Sequence, residues 1–417
     1  MHGRDAHATQ LLTVREVFVR VDDGLNVQIQ EAPSAMISQT ARLRILLVVE
    51  SSGAGTGRHV LDLADGLMAH GCAVHLIYST ARMDARFKDR LGELKGLASL
   101  ALRMRTGPHP SDFGVIKTVR RYLKEHGPFD IIHGHSSKGG AIARLAAMGT
   151  GTAAFYTLHG LIMMDPGLSR IKRWFYLAIE LGLSLRTSGI IAVSPEEARA
   201  AVGIGLGKSR VFTIPNGVGP AELTARRAAR DALGLGDEAM VIGFVGRIVD
   251  QKAPRVLVEA FAATAAVVPG VHLVMVGDGP LLEPMRELGR ILKVADKIHW
   301  LGERDAREVF AAFDIFALSS RKEGLPYVVL EAMAAGLPIV ATVSAGVEIL
   351  IEPGVNGISV PTDDIKAFTA ALVKLASEAA LVLRYGEASL KKASDFTIEA
   401  MVDRTLAVYQ EALRRKL

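Results

Sequence analysis

The chain has 417 residues, of which 49% are hydrophobic and 22% charged, and its formal net charge is +5. This composition is typical of globular rather than disordered proteins, and the length predicts two or three domains. The single cysteine, Cys72, excludes a disulfide framework and favours a reducing compartment. No run of 18 or more apolar residues predicts a membrane span.

Residues 1–42 contain no apolar core of the signal-peptide kind, and "MHGRDAHATQ" has neither helical nor strand periodicity. We expect a poorly ordered extension, or an upstream choice of start codon, and leave these residues out of the fold prediction.

From residue 43, strand-like and helix-like segments alternate, which predicts parallel sheets covered by helices. One set of strand-like runs comprises "RILLVV", "AVHLIY", "FDIIHGH", "AAFYTLH", "GIIAVS" and "RVFTIPN". A polar segment, "LTARRAARDALGLGDEA", precedes a second set: "MVIGFVG", "VHLVMVG", "KIHWLG", "DIFALSS", "LPIVAT" and "GISVP". We therefore predict two doubly wound α/β halves, joined near residues 217–238, with ligands bound in a cleft beyond the carboxyl ends of the strands.

Two glycine-rich segments resemble nucleotide-binding loops without matching them. In "ESSGAGTGRHV", residues 50–60, Arg58 stands where the last glycine of G-x-G-x-x-G could fall, and the next strand ends in Tyr78 rather than an acid. What remains is a loop of free amides at a helix N-terminus, suited to a polar or anionic group. "GIGLGKS", residues 203–209, has too short a spacing for a phosphate loop and lies between a helix and a strand, so it predicts a helix-ending turn.

The strongest signals lie in the second half. In "FVGRIVDQKAP" a strand ends at Gly246, and Arg247 and Lys252 follow just before a helix that begins at Pro254. Two cations at the end of a strand can neutralise a diphosphate.

Downstream, "SSRKEGLPYVVLEAMAAGLPIVAT" places Glu323 in a turn and Glu331 inside the following helix, with Pro326 as its first residue. The amides of the first helical turn are then free to face an anion. Carboxylates and amides converge where a sugar nucleotide would present hydroxyls and phosphates.

The combination G-R-x4-K with E-x7-E, formed by Gly246, Arg247, Lys252, Glu323 and Glu331, resembles the retaining glycosyltransferases of family four, which have the two-domain GT-B fold. The resemblance covers roughly residues 43–415 and includes, in order, "SSGAGTGRHVLDLADGL", "DIIHGHSSKGGAIARLAA", "YTLHG", "IIAVSPEEARA", "IPNGV", "VMVGDGPLL", "IHWLGE" and "EGLPYVVLEAMAAGLPIVAT".

The resemblance implies two Rossmann-like domains facing across a cleft. Residues 43–218 would bind the acceptor, residues 219–395 the donor nucleotide, and residues 396–417 would form a helix that crosses back to the first domain. The implied reaction is retaining transfer of a sugar from a nucleotide-diphosphate sugar, with UDP-sugars favoured, to a glycan or polyprenyl-linked acceptor in cell-surface polysaccharide assembly. Because the chain contains no D-x-D, we expect transfer without a metal ion or other cofactor. A nucleic-acid partner is not expected.

The resemblance also implies roles for individual residues. Arg247 and Lys252 would hold the donor diphosphate and support the leaving nucleotide, Glu331 would bond the ribose hydroxyls, and Glu323 would contact the transferred sugar. His159 in "YTLHG" would lie across the cleft beside that sugar. The remaining donor-binding positions are Gly55 and Gly57, which would approach the phosphates or the acceptor, and the helix-start segment Gly324, Leu325, Pro326 and Tyr327. We assign catalytic roles to Glu323, His159, Arg247 and Lys252.

Several positions keep a second interpretation. His159 could be a core histidine, and Ser136, Ser137 and Lys138, which begin a helix, could contact the acceptor or a phosphate, or simply cap the helix. His133 and His135 share one face of a strand, but no third ligand has a recognisable spacing, so no metal site is expected.

Two segments depart from the family pattern or complicate it. The contacts of Gly346 and Glu348 are in doubt, since the glycine pair usual before the second acid is partly replaced. Arg321 and Lys322 either add to the phosphate field or are merely exposed.

The segment "LSRIKRWFYLAIELGLSLR", residues 168–186, combines basic and aromatic residues. It fits an interfacial helix, which favours a cytoplasmic enzyme bound peripherally to the inner face of a membrane, but it fits a core helix with a basic rim equally well. A sugar-nucleotide epimerase of the same fold and a non-catalytic sugar-nucleotide-binding subunit remain alternative functions.

Overall fold

The computed structural model describes residues 17–21, 27–31, 42–164, 167–221, 223–344 and 346–415. Within residues 1–42, strands β1 (Val17–Val21) and β2 (Val27–Glu31) pair antiparallel, with Val17 opposite Glu31. No element was expected in this segment, although "VFVRV" and "VQIQE" show the alternation of apolar and polar residues that strands favour. The segment "MHGRDAHATQ" lies outside the described residues.

Seven parallel strands form the first large sheet of the described chain, in the order β5-β4-β3-β6-β7-β8-β9. These strands are β3 (Arg44–Val49), β4 (Ala73–Ser79), β5 (Ala98–Leu102), β6 (Ile131–His135), β7 (Ala153–Thr157), β8 (Gly189–Ala192) and β9 (Val211–Thr213). The helices between them are α1 (Ala54–Ala69), α2 (Ala85–Glu93), α3 (Asp112–His126), α4 (Ser136–Ala147), α5 (Arg170–Ser184) and α6 (Pro195–Gly203).

A second parallel sheet has the order β12-β11-β10-β13-β14-β15 within the described residues. Its strands are β10 (Met240–Val245), β11 (Val271–Val276), β12 (Ile298–Gly302), β13 (Ile315–Leu318), β14 (Ile339–Thr342) and β15 (Gly357–Val360). The helices are α7 (Arg226–Asp231), α8 (Pro254–Ala265), α9 (Leu282–Ile291), α10 (Arg307–Phe310), α11 (Tyr327–Ala334), α12 (Ile365–Ser377), α13 (Ala379–Ala393) and α14 (Ile398–Arg414). The predicted fold class, two doubly wound Rossmann-like sheets, is confirmed.

The strand order reverses direction once in each sheet, between β3 and β6 in the first and between β10 and β13 in the second. At such a switch point the helices that follow the two strands cover opposite faces, so a crevice opens beyond the strand ends. The segments that leave these four strands are therefore the ones that the fold brings to a ligand.

The last helix, α14, packs against the first sheet rather than the second. Met401, Val402 and Tyr409 of α14 are buried in one hydrophobic cluster with Ile45 and other residues of β3. A Cβ atom on Gly66 of α1 would lie 2.4 Å from Val402 Cγ2, so the glycine allows α1 and α14 to approach closely. The C-terminal helix thus completes the core of the first sheet.

The chain passes between the two sheets twice, and the two passes lie side by side. The backbone amide of Val218 donates to the carbonyl of Phe396 at 2.8 Å, and Val218 pairs with Thr397 in a parallel bridge. The domain limits at residues 218 and 395 stay a prediction, and they fall at this crossing.

The second glycine-rich segment is a helix-ending turn, as predicted. Helix α6 ends at Gly203, and Gly205 follows with φ +95°, a conformation that favours glycine. A short 3₁₀ turn, Lys208–Arg210, then leads into β9.

Candidate active site

A cavity of about 1310 Å³ lies between the two sheets, at the carboxyl ends of the switch-point strands. From the first half, Glu50, Ser51, Gly53, Ala54 and Thr56 after β3 contribute to its wall, as do Ser136–Lys138 after β6. From the second half, the wall includes residues 250–251 after β10 and residues 321–324 after β13. The volume exceeds the roughly 300–1,000 Å³ of an ordinary small-ligand pocket.

The cavity brings together part of the predicted site. His159, Glu323 and Gly324 line it, and so do Ser136, Ser137 and Lys138. The other predicted positions are not among the lining residues: Gly55, Gly57, Gly246, Arg247, Lys252, Leu325, Pro326, Tyr327 and Glu331. Several of these positions nevertheless contact residues that line the cavity.

Lys252 and Glu323 form an ion pair at the cavity wall, which Glu323 lines, with Nζ 2.5 Å from Oε1. Their side chains are only 14% and 9% exposed. Lys252 follows β10 and Glu323 follows β13, which are neighbouring parallel strands, so the sheet itself brings them together. The Ser319 hydroxyl adds a tie by donating to the Lys252 carbonyl at 2.8 Å.

Arg247 offers a second cation near this pair. Its side chain is exposed and makes no hydrogen bond or ion pair with any residue that the structure describes. Gly246 just before it has φ +157°, at the limit of the region that glycine tolerates best. An unpaired guanidinium after a switch-point strand is available to an anionic ligand.

Helix α11, which follows Glu323, has free amides at its N-terminus. Helix α11 begins at Tyr327, and Pro326 is its N-cap rather than its first residue, which corrects the predicted helix start by one position. No side chain caps this end. Among the described residues, nothing accepts a hydrogen bond from the amides of Gly324, Leu325, Tyr327 or Val328. Four unpaired donors and the helix dipole are available to an anion.

Glu331 of α11 pairs across the cleft with Arg58 of α1, whose Nη1 donates to Glu331 Oε1. The Arg58 guanidinium also lies 4.7 Å from the centre of the Tyr327 ring. A Cβ on Gly55 would lie 3.3 Å from that same ring. Gly55 therefore lets α1 approach α11 closely, and Arg58 is a site residue that the sequence motifs did not reveal.

The glycine-rich loop after β3 is held by packing and capping rather than left open. Asp84 accepts a hydrogen bond from the Ala54 amide at 2.7 Å, so one of the predicted free amides is already paired. A Cβ on Gly57 would lie 2.4 Å from the Ser52 carbonyl oxygen. Gly57, in the first turn of α1, thus allows the helix to pack closely on the preceding loop, while Gly53, Ala54 and Thr56 line the cavity.

His159 lies in the cavity wall within a group of histidines. Its Nε2 is 3.2 Å from His135 Nδ1, and its ring centre is 4.5 Å from that of His59. Burial lowers the pKa of His59 to about 4. Burial and neighbouring imidazoles hold the pKa values of His133, His135 and His159 well below the ordinary range. All four rings are therefore neutral near pH 7.

Glu197 fixes the backbone around His159. One carboxylate oxygen accepts from the Gly160 amide at 2.5 Å and the other from the Val193 amide at 2.8 Å. His159 has φ +52° and Gly160 φ +103°, so the segment is in a conformation that needs support. Burial raises the pKa of Glu197 to about 7, against the opposing effect of the two amides. The motif "SPEEARA" contained this residue without showing its partner.

Glu50 is a further cavity residue that the motifs did not single out. It directly follows β3 and lines the cavity. The residue is 4% exposed, and its Oε1 has no hydrogen-bond partner among the described residues. Burial raises its pKa, while Arg82, 3.4 Å from Oε2, and Lys138 act in the opposite direction. A carboxylate at the end of a switch-point strand was the available sequence signal.

The segment after β6 starts α4 as predicted, but it does not cap the helix. His135 is the N-cap, and no side chain bonds the helix end. All three donors of Lys138 are engaged, by the carbonyls of Arg105 and Gly107 and by Asp112 at 2.8 Å. Lys138 therefore holds the loop before α3. Ser136 and Ser137 line the cavity, and the Ser137 hydroxyl accepts a long hydrogen bond from Tyr156 at 3.5 Å.

Arg321 and Lys322, the two basic residues before Glu323, have different surroundings. Arg321 is bound by the carboxylates of Asp250 and Asp363 at 2.6 and 2.9 Å, so its charge is compensated. Lys322 lines the cavity.

The segment around Gly346 contacts the first half of the chain. The Gly346 amide donates to Glu196 Oε2 at 3.2 Å. Glu348 is exposed, and partial burial together with the charge of Glu196 raises its pKa.

Apolar side chains of three helices also line the cavity: Ile116 of α3, Ile142 and Leu145 of α4, and Ile179 and Leu183 of α5. Helix α5 is fixed there by Glu180, which forms a buried bidentate pair with Arg144 at 2.8 and 3.1 Å.

The outer face of α5 carries a stripe of exposed apolar residues. Ile171, Trp174, Phe175 and Leu185 are 84%, 71%, 53% and 75% exposed, and their spacing places them on one helical face. Only Glu180, Leu183 and Ser184 of α5 are buried. Tyr176 packs against a buried hydrophobic cluster, so the core-helix interpretation fits part of α5, and the interfacial interpretation stays a prediction. Within the described residues, no helix combines the length and apolar character that crossing a bilayer requires.

The fold and the cavity together define a two-domain α/β enzyme of GT-B type. Two family models match the chain: "Glycosyltransferase Family 4" over residues 53–222 and "Glycosyl transferases group 1" over residues 239–378. The D-inositol 3-phosphate glycosyltransferase of Stackebrandtia nassauensis is 31% identical over 311 residues, which cover 70% of each chain. The chain therefore belongs to the family 4 glycosyltransferases.

Two further proteins show similarity at lower identity. The UDP-Gal:alpha-D-GlcNAc-diphosphoundecaprenol alpha-1,3-galactosyltransferase of Escherichia coli is 27% identical over 315 residues, covering 73% of this chain and 81% of that protein. The crystal structure of Anabaena Alr3699/HepE in complex with UDP superposes with a TM-score of 0.76 at 20% identity, covering 88% of this chain and all of the other. The latter similarity establishes the fold.

Proposed function

We propose that this enzyme transfers a sugar, with retention of anomeric configuration and without a metal ion, from a nucleotide-diphosphate sugar to a polyprenyl-linked glycan acceptor in cell-surface polysaccharide assembly. A UDP-sugar is the favoured donor. The observation that carries the proposal is the group of unpaired amides at the start of α11, with Lys252 beside it. Residues 219–395 then form the donor domain and residues 43–218 the acceptor domain.

Donor binding follows from the pairs seen in the structure. Lys252 would exchange its bond to Glu323 for the diphosphate, and Glu323 would then turn to hydroxyls of the transferred sugar. Arg247 would close over the phosphates from the exposed side. Glu331 keeps acceptor capacity on Oε2 for the ribose hydroxyls while Oε1 holds Arg58, since a carboxylate accepts about four hydrogen bonds.

The leaving diphosphate gains negative charge as the sugar departs, and fixed cations and amides stabilise that charge without reorganising. Arg247, Lys252 and the α11 amides supply this field, which supports transfer independent of a metal ion. In a front-face mechanism the acceptor hydroxyl attacks the anomeric carbon from the side of the leaving group, and a phosphate oxygen takes the hydroxyl proton. His159 would lie beside the sugar and contact its hydroxyls.

The mixed lining of the cavity favours a lipid-linked acceptor. Glu50, Ser136 and Ser137 bring polar groups to the cavity, and α3, α4 and α5 bring apolar side chains as well. A lipid-linked sugar needs both, polar groups for the sugar and apolar ones for its hydrocarbon chain. The E. coli relative is itself named for a diphosphoundecaprenol acceptor.

The outer stripe of α5 fits a membrane surface. Ile171, Trp174, Phe175 and Leu185 form the exposed apolar face described above, and Lys172, Arg173 and Arg186 are also exposed. Aromatic residues beside basic ones suit an interface with anionic lipids. Ala178 and Gly182, which continue the same helical face as the stripe, line the cavity, so a polyprenyl chain would enter the cavity directly from such a surface. We therefore place the enzyme in the cytoplasm, bound peripherally to the inner face of the membrane.

Transfer is tested by incubating the enzyme with UDP-sugars and a polyprenyl-diphosphate-linked sugar, with and without EDTA, and assigning the anomeric configuration of the product by NMR. We expect a product with the donor's configuration and an unchanged rate in EDTA. An inverted product would refute retention, and formation of an isomeric sugar nucleotide without acceptor would support the epimerase alternative.

The donor base is tested by thermal shift with UDP-, GDP-, TDP- and ADP-sugars. A ligand that binds only the folded state raises the apparent stability, so the preferred donor gives the largest shift. A larger shift with GDP- than with UDP-sugars would overturn the UDP assignment.

Membrane binding is tested by flotation with vesicles that contain anionic lipid. Trp174→Ser with Phe175→Ser should reduce the bound fraction severalfold, whereas Ile291→Ser, at a position 66% exposed in the second half of the chain, should not. Equal losses in both variants would indicate nonspecific adhesion.

A further inference from the structure

Three histidines from distant parts of the sequence meet behind the cavity wall. His59 lies in α1, His135 ends β6, and His159 follows β7. One ring nitrogen of each lies within 4.8 Å of those of the other two, and His135 Nδ1 is already 3.2 Å from His159 Nε2. His59 and His135 are 2% and 0% exposed, while His159 is half-buried and lines the cavity.

We propose that His59, His135 and His159 form a binding site for a divalent transition-metal ion of the zinc type, which the ion reaches through the cavity. Imidazole nitrogens are preferred ligands of Zn²⁺, and three protein ligands leave a fourth position for water or another oxygen ligand. Zinc–nitrogen distances near 2.0–2.1 Å in a tetrahedral site require ligand atoms about 3.3–3.4 Å apart. The His135–His159 pair meets this requirement, and the His59 ring needs to close by about 1.5 Å at most.

The hydrogen bond of the His59 ring supports this assignment. His59 Nδ1 lies 3.0 Å from Asn216 Oδ1, and since an amide oxygen can only accept, Nδ1 carries the proton and Nε2 keeps its lone pair. This arrangement is the one that orients metal-binding histidines. His135 faces His159 through Nδ1, whereas its Nε2 is buried without a hydrogen-bond partner among the described residues, so ligation through Nδ1 would leave the Nε2 proton without an acceptor.

The fourth histidine of the group differs in this respect. His133 Nδ1 contacts the Tyr409 hydroxyl at 2.5 Å, and its Nε2 contacts the Thr157 hydroxyl at 2.7 Å. Both ring nitrogens are satisfied, so His133 connects β6 to α14 and β7 and is not part of the proposed site.

A bound ion would draw His159 into coordination and away from the sugar, so it would inhibit transfer rather than assist it. This consequence rests on the proposed function, in which His159 contacts the sugar, whereas metal binding itself does not. UDP binding, which involves Lys252 and α11, should be little affected.

The test uses the full-length protein, stripped of metal with EDTA and dialysed. We expect one Zn²⁺ per chain in competition with a chromogenic chelator, and a tetrahedral visible spectrum with Co²⁺. His135→Gln should weaken zinc binding by at least about 100-fold and abolish that spectrum, since removing a ligand costs no less than disturbing its outer-shell partners.

The chain offers a matched control in His272 and His299, whose rings meet at 3.1 Å on β11 and β12. The His272→Gln/His299→Gln variant should keep the zinc affinity and the Co²⁺ spectrum, and loss of either in this control would overturn the proposal. Wild type binding zinc no more tightly than His135→Gln would overturn it as well. If circular dichroism shows that His135→Gln is unfolded, His159→Gln at the half-buried position decides by the same criteria. Zinc should also inhibit transfer by the wild type, and failure to observe any transfer would leave the binding measurement decisive for the site.

Discussion

The Lys252–Glu323 pair allows the proposed donor site to be tested by separating binding from stability. Lys252→Ala removes a phosphate partner, and hydrogen bonds to charged groups contribute about 1.5–3 kcal/mol. The dissociation constant for UDP should therefore rise about 10- to 150-fold, measured by isothermal titration calorimetry. UDP is the appropriate ligand because it carries no sugar and so does not report on Glu323.

The same substitution leaves Glu323, only 9% exposed, without its partner. Removing one member of a buried ion pair costs about 3–5 kcal/mol, and this value is an upper bound because the pair retains some contact with solvent. Urea unfolding should show that loss for Lys252→Ala. Replacing the carboxylate too, in Lys252→Ala/Glu323→Gln, should recover most of the stability.

The double variant decides between the two effects. If Lys252 binds phosphate, the double variant regains stability but still binds UDP as weakly as Lys252→Ala. Recovery of UDP affinity together with stability would refute the reasoning, since the binding loss would then come from unfolding. Lys366→Ala, at an exposed lysine outside the cavity lining, is the control and should change neither quantity.

Two further predictions concern packing and pH. Gly57→Ala should lower the free energy of unfolding, measured in urea, by about 1–3 kcal/mol, because the new methyl group meets the Ser52 carbonyl at 2.4 Å. Gly55→Ala should change the same free energy by less than about 0.5 kcal/mol, because its nearest contact is the Tyr327 ring at 3.3 Å. Equal effects would contradict the packing argument. Because the pKa of Glu197 is raised from 4.5 to about 7, its favourable contribution is complete below about pH 4.5 and is lost as the pH rises to about 7, a change of about 3 kcal/mol. Glu197→Gln should remove this decline between pH 5 and pH 8, and an unchanged decline would exclude Glu197 as its source.

The sequence predicted the two sheets because alternating strand and helix patterns specify parallel strands locally. It also placed Lys252 and Glu323 after strands of one sheet, and neighbouring parallel strands bring such positions together. The positions of Lys252 and Glu323 in their motifs were therefore enough to predict that the two side chains lie close together.

Other contacts depend on distances that no local pattern encodes. Arg58 reaches Glu331 across 273 residues, and this contact depends on how the two sheets face each other. His59, His135 and His159 belong to three separate parts of the fold, namely α1, the end of β6 and the segment after β7. Short sequence spacing between possible ligands therefore draws attention only to His133 and His135. The strands within residues 17–31 are the opposite case, because the alternation of apolar and polar residues that favours them is a local pattern of the sequence itself.

The position of α14 has a consequence for biosynthesis. Its residues Val402 and Tyr409 complete the hydrophobic cluster beneath β3, yet they leave the ribosome after the whole second sheet. At about 5–20 residues per second, they follow β9 by roughly 10–40 s. During that interval the apolar surface of the nascent first lobe that α14 later buries stays exposed to solvent.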